Sequence, residues 1–534
     1  MFVSLHHLRG ATLAYMAELL VPIVADRPAA AAVIDETGTT SWSSFNDRVN
    51  QLIHAVRAAG AGPGSTLAAL CANRREYLEL FAMASHAGVM LVPINWHWVA
   101  DEVAYVLDNA EVSILFVDSR YSEVAVAGIA SSQAAANIKV VAIGGPVPGA
   151  VDYEEFLGAH STDEPADQFA GGPMFYTSGT TGRPKGVRSS ALADPLPASM
   201  IGFMVAGFSA SMGSPMGGVT FLNGPVYHSA QWAFSVFPML GGSTVVLRHK
   251  FDAEETLRVI DEHRVTNIHL VPTQFIRLLK LSDETKASFD GSSLQIVWHG
   301  AASCPVETKK QMLDWWGPKI TEYYGATESG IVSLVSGDQW LTKPGTLGPI
   351  MGTCEVAIVD DEGRECPANT SGTIYIKSKM GSDFQYHGDP EKTAKAHRAP
   401  GQYTLGDMGY LDDDGWLFMS DRKIDMIISG GVNIYPAEIE GLLVSHPSIR
   451  DAAVFGIPNE EFGEEVKAAI ELHDGVSNSP ELLAELALFC REKLAGYKVP
   501  RSWDVLESLP RHPTGKLYKR LLRDPYWQST GRAI

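Results

Sequence analysis

Apolar residues in the first part of the chain follow helical and strand spacing by turns. Phe45, Val49 and Val56 belong to a series of apolar residues three or four positions apart that stops before Gly60, which predicts an amphipathic helix. Further along, strands are predicted at 66–71, 89–92 and 112–117, and helices at 75–87 and 100–107. The alternation returns between residues 242 and 298. Strands that alternate with helices predict a mostly parallel sheet with helices on both faces.

The pattern changes after Gly345. Short strands at 355–359 and 372–377 are separated by turns rich in Asp and Gly, which predicts a β-rich subdomain over about 345–420. After a charged break at 420–423, two strands and an amphipathic helix at 480–493 predict a small α+β domain. The predicted fold class is therefore α/β, with a large N-terminal domain of αβ-layered sheets, a β-rich subdomain and a small α+β C-terminal domain.

Composition limits the classes of function. The 534 residues carry a formal net charge of −20, which argues against non-specific binding of nucleic acid because a polyanion would be repelled. No apolar run approaches the roughly 20 residues that a membrane span requires. The first 20 residues lack the features of a signal peptide and predict a helix that ends near Pro22. Five cysteines form no CxxC pair, which suits a reducing compartment, so a cytoplasmic location is expected.

The segment YTSGTTGRPKG, residues 176–186, is the most informative part of the chain. Its glycines are Gly179, Gly182 and Gly186, and its hydroxyl side chains are Tyr176, Thr177, Ser178, Thr180 and Thr181. Glycines let the main chain fold tightly around an anion, and Lys185 adds a point charge suited to phosphate. The segment therefore predicts a polyphosphate site. Pro184 before the lysine excludes a Walker loop and predicts a strand-like exit. The alternative is a flexible Gly/Ser/Thr linker.

Four further motifs follow in order. They are YGATE at 324–328, YTLGD at 403–407, DRK at 421–423 and the segment from Pro510 to Gly515-Lys516. Together with the glycine-rich segment, this series resembles the acyl-adenylate-forming superfamily, which includes acyl-CoA synthetases, luciferases and the adenylation domains of peptide synthetases. The resemblance extends from about residue 41 to residue 520 and is closest to AMP-forming acyl-CoA synthetases.

The resemblance implies a site for MgATP. The residues expected to contact the nucleotide are Thr177, Ser178, Gly179, Thr180, Thr181, Gly182, Lys185, Gly300, Ala301, Ala302, Tyr324, Gly325, Thr327, Asp407, Arg422 and Lys516. Tyr324 offers an aromatic face for adenine, and Asp407 can accept hydrogen bonds from ribose. Glu328 and Thr180 are expected to bind Mg²⁺, because carboxylate and hydroxyl oxygens are hard ligands. The plainer alternatives are a core aromatic for Tyr324, a turn cap for Asp407 and a solvated charge for Arg422.

The same resemblance places the acid and the catalytic groups. The acid is expected to contact His228, Trp232, Ala301 and Gly325, and the catalytic set is Lys516, Thr180, His228 and Glu328. Trp232 and Phe234 could line an apolar pocket or could belong to the core. Lys516 would offset the repulsion between the carboxylate and the α-phosphate, which at 4 Å is about 4 kcal/mol at an effective dielectric of 20.

Two half-reactions follow from the resemblance: formation of acyl-AMP and pyrophosphate, then attack of a thiol on acyl-AMP. The small domain is expected to rotate between the two steps. Residues 1–421 would form the adenylation domain, 422–424 the hinge and 425–534 the mobile domain. Ile424 departs from the usual Lys or Asp at the hinge. Gly430, Gly431 and Lys498 are expected to contact coenzyme A, although Lys498 could equally be a solvated lysine. A homodimer is possible.

Three functions compete at this point. The first is an acyl-CoA synthetase for a fatty, aromatic or polycyclic acid. The second is a stand-alone adenylating enzyme that loads a carrier protein. An enzyme of this kind that takes an amino acid needs a buried carboxylate for the α-ammonium group, and the segment 228–237 has none. The third is a non-catalytic nucleotide-binding scaffold, which would not need Lys185, Glu328 and Lys516 together.

Overall fold

The structure is a computed structural model that describes residues 20–177, 184–189, 196–302, 304–422, 425–429, 432–459, 462–494, 496–511 and 517–527. For residues 421, 422, 432 and 433 the backbone alone is described. The helix predicted to end near Pro22 begins outside these residues. In the described part, a helix instead runs over Val21–Asp26, with Pro22 in its first turn, where a missing N–H costs no helical hydrogen bond.

Within the described residues, an eight-stranded sheet forms the centre of the N-terminal domain. In spatial order its strands are Gly330–Val335, Ile320–Ala326, Ile296–His299, Asn267–Leu270, Val219–Leu222, Thr244–Leu247, Ala31–Asp35 and Gly38–Ser41. The six inner strands run parallel, and an antiparallel strand closes each edge. Gly300 and Tyr324 therefore lie on the same side of the sheet, near the carboxyl ends of the parallel strands.

A second sheet lies earlier in the chain. In spatial order its strands are Val151–Asp152, Lys139–Ile143, Ile114–Asp118, Thr66–Leu70, Met90–Ile94 and Gly172–Pro173. Each strand runs parallel to the strands beside it. In the strand Thr66–Leu70, Leu67 and Ala69 belong to one apolar cluster and Ala68 and Leu70 to another, so both faces of the strand are buried. This arrangement confirms the predicted parallel sheet with covered faces.

Most of the helices pack against these sheets, and the last three belong to the C-terminal domain. In chain order they are Val21–Asp26, Trp42–Ala58, Arg75–Ala87, Ala100–Asn109, Ser122–Ser131, Tyr153–Gly158, Ser199–Met212, Ser229–Leu240, Ala253–Glu262, Pro272–Leu279, Asp283–Ser288, Val306–Trp316, Gly337–Thr342, Pro390–Ala396, Pro436–Val444, Pro480–Lys493 and Lys519–Trp527. Within the described residues, none of them has the length and apolar character needed to span a membrane.

The later part of the chain forms two further sheets, both as predicted from the change of pattern. The β-rich subdomain contains Gly348–Pro349, Trp416–Arg422, Gln402–Leu411, Gly372–Ser378 and Cys354–Val359, with His397–Ala399 paired to Gln402–Leu411. The C-terminal sheet contains Val432–Ile434, Ile427–Ser429, Gly463–Leu472 and Ile449–Asn459, with Ser502–Val505 parallel to Gly463–Leu472. The helix Pro480–Lys493 has the predicted bounds and buries Leu482, Leu486 and Cys490 against this sheet.

Candidate active site

Part of the predicted site lies outside the described residues. These positions are Ser178, Gly179, Thr180, Thr181, Gly182, Ile424, Gly430, Gly431 and Lys516. Arg422 is described by its backbone, which pairs with Asp407 in the β-rich subdomain. The roles of all these residues remain predictions.

The glycine-rich segment is carried by a hairpin. Phe175–Thr177 pairs antiparallel with Lys185–Ser189, and Thr177 is directly opposite Lys185. A third strand, Phe384–Tyr386, pairs with the outer side of Lys185–Ser189. Gly186 is required for this packing, since a β-carbon there would lie 2.9 Å from the Tyr176 ring and 3.2 Å from His387 Cβ. The strand-like exit predicted after Pro184 is confirmed.

Tyr386 connects this hairpin to the YGATE motif. The Lys185 Nζ atom lies 5.0 Å from the centre of the Tyr386 ring, and the Tyr386 hydroxyl donates a hydrogen bond of 3.1 Å to Glu328 Oε1. The ammonium group of Lys392 lies close to that of Lys185. Burial, and then the neighbouring Lys392, lowers the pKa of Lys185 to about 8. An anion at this point would be attracted by both ammonium groups and would raise that pKa again.

Tyr324 and Asp407 form a second contact between motifs. The Tyr324 hydroxyl donates a 2.8 Å hydrogen bond to Asp407 Oδ2, and both side chains are buried. Strand pairing places the Arg422 backbone opposite Asp407. An aromatic residue, a carboxylate and the start of the predicted hinge therefore meet at one place. A purine and its ribose need such neighbours, a flat apolar face and an acceptor for hydroxyl groups.

Ser229, the residue after His228, contacts Thr327 at the start of a helix. His228 is the residue before the helix Ser229–Leu240, and Ser229 Oγ lies 2.8 Å from Thr327 Oγ1. The predicted acid-binding histidine is thus next to the residue predicted to contact the α-phosphate. Ser229 was not predicted from the sequence. Its position directly after His228 is the one signal that could have pointed to it.

The loop Gly300–Ala302 follows the strand Ile296–His299 and lies against Tyr323. A β-carbon on Gly300 would lie 2.7 Å from the Tyr323 ring, so glycine is needed for this approach. Ala301 has φ 66°, a backbone conformation that glycine adopts without cost and alanine rarely adopts. Alanine therefore occupies a position where the backbone is strained.

Trp232 and Phe234 face opposite sides of their helix, because residues two apart point about 200° apart. Trp232 packs against Phe175 and Phe237, with ring centres 5.8 and 4.8 Å away, and so joins the large core behind the hairpin. Phe234 packs against Tyr323 at 5.0 Å. Of the two residues proposed for the acid pocket, Phe234 is the one on the side of Gly300 and Tyr323.

Two electrostatic interactions of Tyr518 link the C-terminal domain to the N-terminal domain near this site. Tyr518, two residues after Lys516, is close enough to Tyr227 to contribute to the raised pKa of that phenol, which burial dominates. Tyr518 also interacts electrostatically with Glu102. Lys498 Nζ binds both oxygens of Glu438, at 2.8 and 2.6 Å, within the C-terminal domain. A role of Lys498 in binding coenzyme A would require it to leave this carboxylate.

Comparisons with known proteins agree with this geometry. The AMP-binding enzyme family matches residues 23–382, and the AMP-binding enzyme C-terminal domain matches residues 438–516. The chain belongs to the AMP-binding enzyme family. The predicted superfamily, the predicted fold class and the predicted class of enzyme, an AMP-forming ligase of acids and thiols, are therefore confirmed.

Individual relatives cover nearly the whole chain. A fatty acid–[acyl-carrier-protein] ligase from Streptomyces coeruleorubidus is 30% identical over 522 residues, with 95% of each chain covered. Feruloyl-CoA synthase from an Amycolatopsis species is 32% identical and covers 93% of this chain and 96% of its own. The solved structure of o-succinylbenzoate CoA synthetase from Bacillus subtilis, in complex with its acyl-adenylate intermediate, is 27% identical, with a TM-score of 0.79 and coverage of 95% and 98%.

Proposed function

We propose that this chain is an AMP-forming acyl-CoA synthetase that activates an apolar carboxylic acid with MgATP and then transfers the acyl group to coenzyme A. The observation that carries the proposal is the contact of Tyr386 with both Lys185 and Glu328. It joins the predicted phosphate-binding hairpin to the predicted metal ligand. A scaffold that only holds a nucleotide has no need of a carboxylate at this point.

In the first half-reaction, a carboxylate oxygen of the acid attacks the α-phosphorus of ATP. The bond to the bridging oxygen breaks, and pyrophosphate leaves with the electron pair. Lys185 would neutralise part of the charge on the leaving pyrophosphate. Lys516 would stand between the carboxylate and the α-phosphate, where it offsets their repulsion. Thr180, Thr327 and His228 would fix the α-phosphate and the acid in line.

Glu328 fits a magnesium ion. Its carboxylate supplies hard oxygen atoms, and Tyr386 holds one of them at 3.1 Å beside Lys185. Within the described residues, no cluster of three or more acidic, histidine or cysteine side chains could hold a metal ion. Magnesium in phosphoryl-transfer sites is bound by one or two carboxylates, substrate phosphates and water, so a single carboxylate is sufficient. Glu328, with Thr180, would hold the ion, whose charge would offset that of the phosphates.

The adenosine would lie between the Gly300–Ala302 loop and Tyr324. The Tyr324 hydroxyl already donates a hydrogen bond to Asp407, and this bond orients the carboxylate and the ring together. Asp407 and Arg422 would then bind the ribose hydroxyl groups. Gly325 follows Tyr324 in the same strand, where a β-carbon would lie 2.1 Å from the Gly330 carbonyl oxygen, so glycine is needed for the pairing with the strand Gly330–Val335.

The second half-reaction is attack of a thiol on the mixed anhydride, which releases AMP and forms a thioester. No nucleophilic side chain is needed, because acyl-AMP is itself the activated acyl donor. We propose that the C-terminal domain turns at residues 422–424 between the two steps. Lys516 would then leave the site, and Gly430 and Gly431 would approach the pantetheine chain, where the absence of side chains leaves room.

A carrier protein is the second candidate acceptor. The relative from Streptomyces coeruleorubidus is named as a ligase of fatty acids to the acyl carrier protein. The thiol of a carrier protein and that of coenzyme A are chemically the same, so the adenylation site does not distinguish them. The difference lies in the surface that the rest of the acceptor would contact.

The test is a product assay with the full-length protein, ATP, Mg²⁺ and a panel of carboxylic acids. We expect AMP and an acyl-CoA thioester to form in equal amounts when coenzyme A is present. Thioester on a pantetheinylated carrier protein, with none on coenzyme A, would favour the second candidate. ATP hydrolysis to ADP, or no acid-dependent release of pyrophosphate with any acid, would contradict the proposed function.

A further inference from the structure

The structure indicates where the part of the acid beyond its carboxylate would lie. This inference rests on the proposed function. The helix Ser229–Leu240 starts directly after His228, and its first residue contacts Thr327 at 2.8 Å. The acid would therefore extend from His228 into the space between the first turns of this helix and the strands Ile296–His299 and Ile320–Ala326. The side chains that fill this space decide how large the acid can be.

Tyr323 closes this space from the side of the sheet. Alternate residues of a strand face opposite ways. Tyr324 turns toward Asp407, as its hydrogen bond shows, whereas Tyr323 turns toward the helix and contacts Phe234 at a ring distance of 5.0 Å. The Gly300 backbone lies directly against the Tyr323 ring.

Behind Tyr323 the space is filled by a continuous group of aromatic rings. We call this group the aromatic floor; its members are Phe208, Phe234, Trp298 and Tyr323. Phe234 lies 4.8 Å from Trp298 and 5.3 Å from Phe208, measured between ring centres. The exposed fraction is 1% for Phe234, 0% for Trp298 and 7% for Tyr323. Rings packed at this density leave no room for a chain to pass unless they move.

Hydrogen bonds hold the floor in place. The Gln231 side-chain amide donates to His269 Nδ1 at 3.0 Å, so the proton of the neutral ring is on Nε2, which donates to the Tyr323 hydroxyl at 3.0 Å. Burial lowers the pKa of His269 to about 3, which keeps the ring neutral. Phe234 stacks on the same imidazole at 4.9 Å and 18°. The Trp298 indole donates to the Met212 carbonyl oxygen at 2.9 Å.

We propose that the aromatic floor restricts this enzyme to compact acids, namely short aliphatic or single-ring aromatic acids, and that Gln231 and His269 are positioning residues that hold Tyr323. A long or polycyclic acid would have to displace buried rings and break the hydrogen bonds of buried polar groups. Both changes are costly. A single aromatic ring, by contrast, can pack edge-to-face on Phe234 and Tyr323.

The first test is the acid profile of the wild-type protein. Acid-dependent exchange of pyrophosphate into ATP is measured with the straight-chain acids from butanoate to hexadecanoate and with benzoate. We expect kcat/KM for dodecanoate to be about 100-fold or more below that for butanoate or benzoate, the scale of overpacking a buried site. Equal or higher values for dodecanoate would overturn the inference but leave the proposed function standing. No exchange with any acid would overturn both.

The second test removes part of the floor. Phe234→Ala should raise the ratio of kcat/KM for decanoate over butanoate by about tenfold or more, since the space of one ring becomes available. Phe275→Ala is the matched control, because Phe275 is equally buried (0% exposed) but packs on the other face of the sheet, against His299. This control should lower stability and leave the ratio unchanged.

Positioning by Gln231 has its own readout. Gln231→Leu removes the donor to His269 and should raise the decanoate-to-butanoate ratio as well, by loosening Tyr323. A variant that merely destabilises the fold would lower both rates together. If Phe234→Ala does not fold, Phe234→Leu provides the same comparison with a smaller change. An unchanged ratio in these variants would overturn the role of the floor.

Discussion

At the scale of single residues, the surroundings of Lys185 lower the pKa of its ammonium group. It lies over the Tyr386 ring beside Lys392, and its pKa falls to about 8 from an ordinary value of 10.5. Between these two pH values the unfolded chain binds more protons at this residue than the folded chain. The contribution of Lys185 to stability therefore increases as pH rises from 8 to 10.5.

The same pKa predicts how ATP binding depends on pH. A bound polyphosphate favours the charged lysine, so binding takes up a proton when pH exceeds about 8. We expect kcat/KM for ATP to fall as pH rises through 8 in the wild-type protein. In Lys185→Arg, whose charge persists, this fall should be absent. The measurement is a pH profile of pyrophosphate exchange; a flat wild-type profile from pH 7 to 9 would contradict the assignment of Lys185 to phosphate.

At the scale of elements, strand Phe384–Tyr386 makes the link that the chemistry needs. It pairs with Lys185–Ser189, and its last residue contacts both Lys185 and Glu328. Tyr386→Phe keeps the ring under Lys185 and removes the hydrogen bond to Glu328. We expect a rise of about tenfold or more in KM for MgATP, the scale of a hydrogen bond to a charged group.

The Mg²⁺ dependence of pyrophosphate exchange by Tyr386→Phe shows whether Tyr386 acts through Glu328. If Glu328 binds Mg²⁺, Tyr386→Phe should also raise the Mg²⁺ concentration needed for half-maximal pyrophosphate exchange, while KM for the acid stays near the wild-type value. A change in KM for the acid alone would show that Tyr386 acts on the other substrate.

A second prediction at this scale concerns the helix Val306–Trp316 and the strand Ile320–Ala326. Lys309 and Glu322 form a buried ion pair at 2.5 Å, with 0% and 7% side-chain exposure. Burial lowers the pKa of Lys309 and raises that of Glu322. Lys309→Met leaves the buried Glu322 carboxylate without its cation, next to the neutral His299 ring at 3.7 Å. The change should cost about 3–5 kcal/mol of unfolding free energy at neutral pH.

The double variant Lys309→Met with Glu322→Leu provides the comparison. Replacing both charges with apolar groups should recover most of the loss, because no unpaired charge remains. Urea unfolding of both variants measures the difference. Additive losses in the double variant would show that the two side chains stabilise the fold independently.

Sequence patterns predicted the elements better than the contacts between them. The alternation of apolar runs predicted the parallel sheet correctly. The motifs identified Lys185, Glu328 and Asp407 as site residues, because each carries its local chemistry in its own segment, and these roles stay predictions. Tyr386 and Ser229 were missed. Their roles depend on strands and helices that pair across more than 50 residues, and no local spacing encodes that pairing.

Two long helices were also missed. Ser199–Met212 and Ser229–Leu240 are apolar on several sides, so they lack the one-sided pattern of a surface helix. Trp232 and Phe234, taken as two candidates for one pocket, lie on opposite faces of the second helix. The sequence could not show which of them faces the site until the helix was recognised.

At the scale of the whole molecule, the proposed adenylation step requires the C-terminal domain to lie against the N-terminal domain. Tyr518 interacts with Tyr227 and Glu102 of the N-terminal domain. A hydrogen bond of 3.4 Å from the Tyr435 hydroxyl to Ser371 Oγ joins the two domains at another point. These interactions link the segment that follows Lys516 to Tyr227, the residue before His228, as the proposed adenylation step needs.

The central claim is that Lys516 serves the first half-reaction and leaves before the second. The most direct measurement compares wild-type protein and Lys516→Ala in two assays, acid-dependent pyrophosphate exchange and thioester formation from supplied acyl-AMP and coenzyme A. We expect exchange to fall by at least about 100-fold and thioester formation to remain within a few-fold of wild type. Equal losses in both assays, or undiminished exchange, would contradict the account.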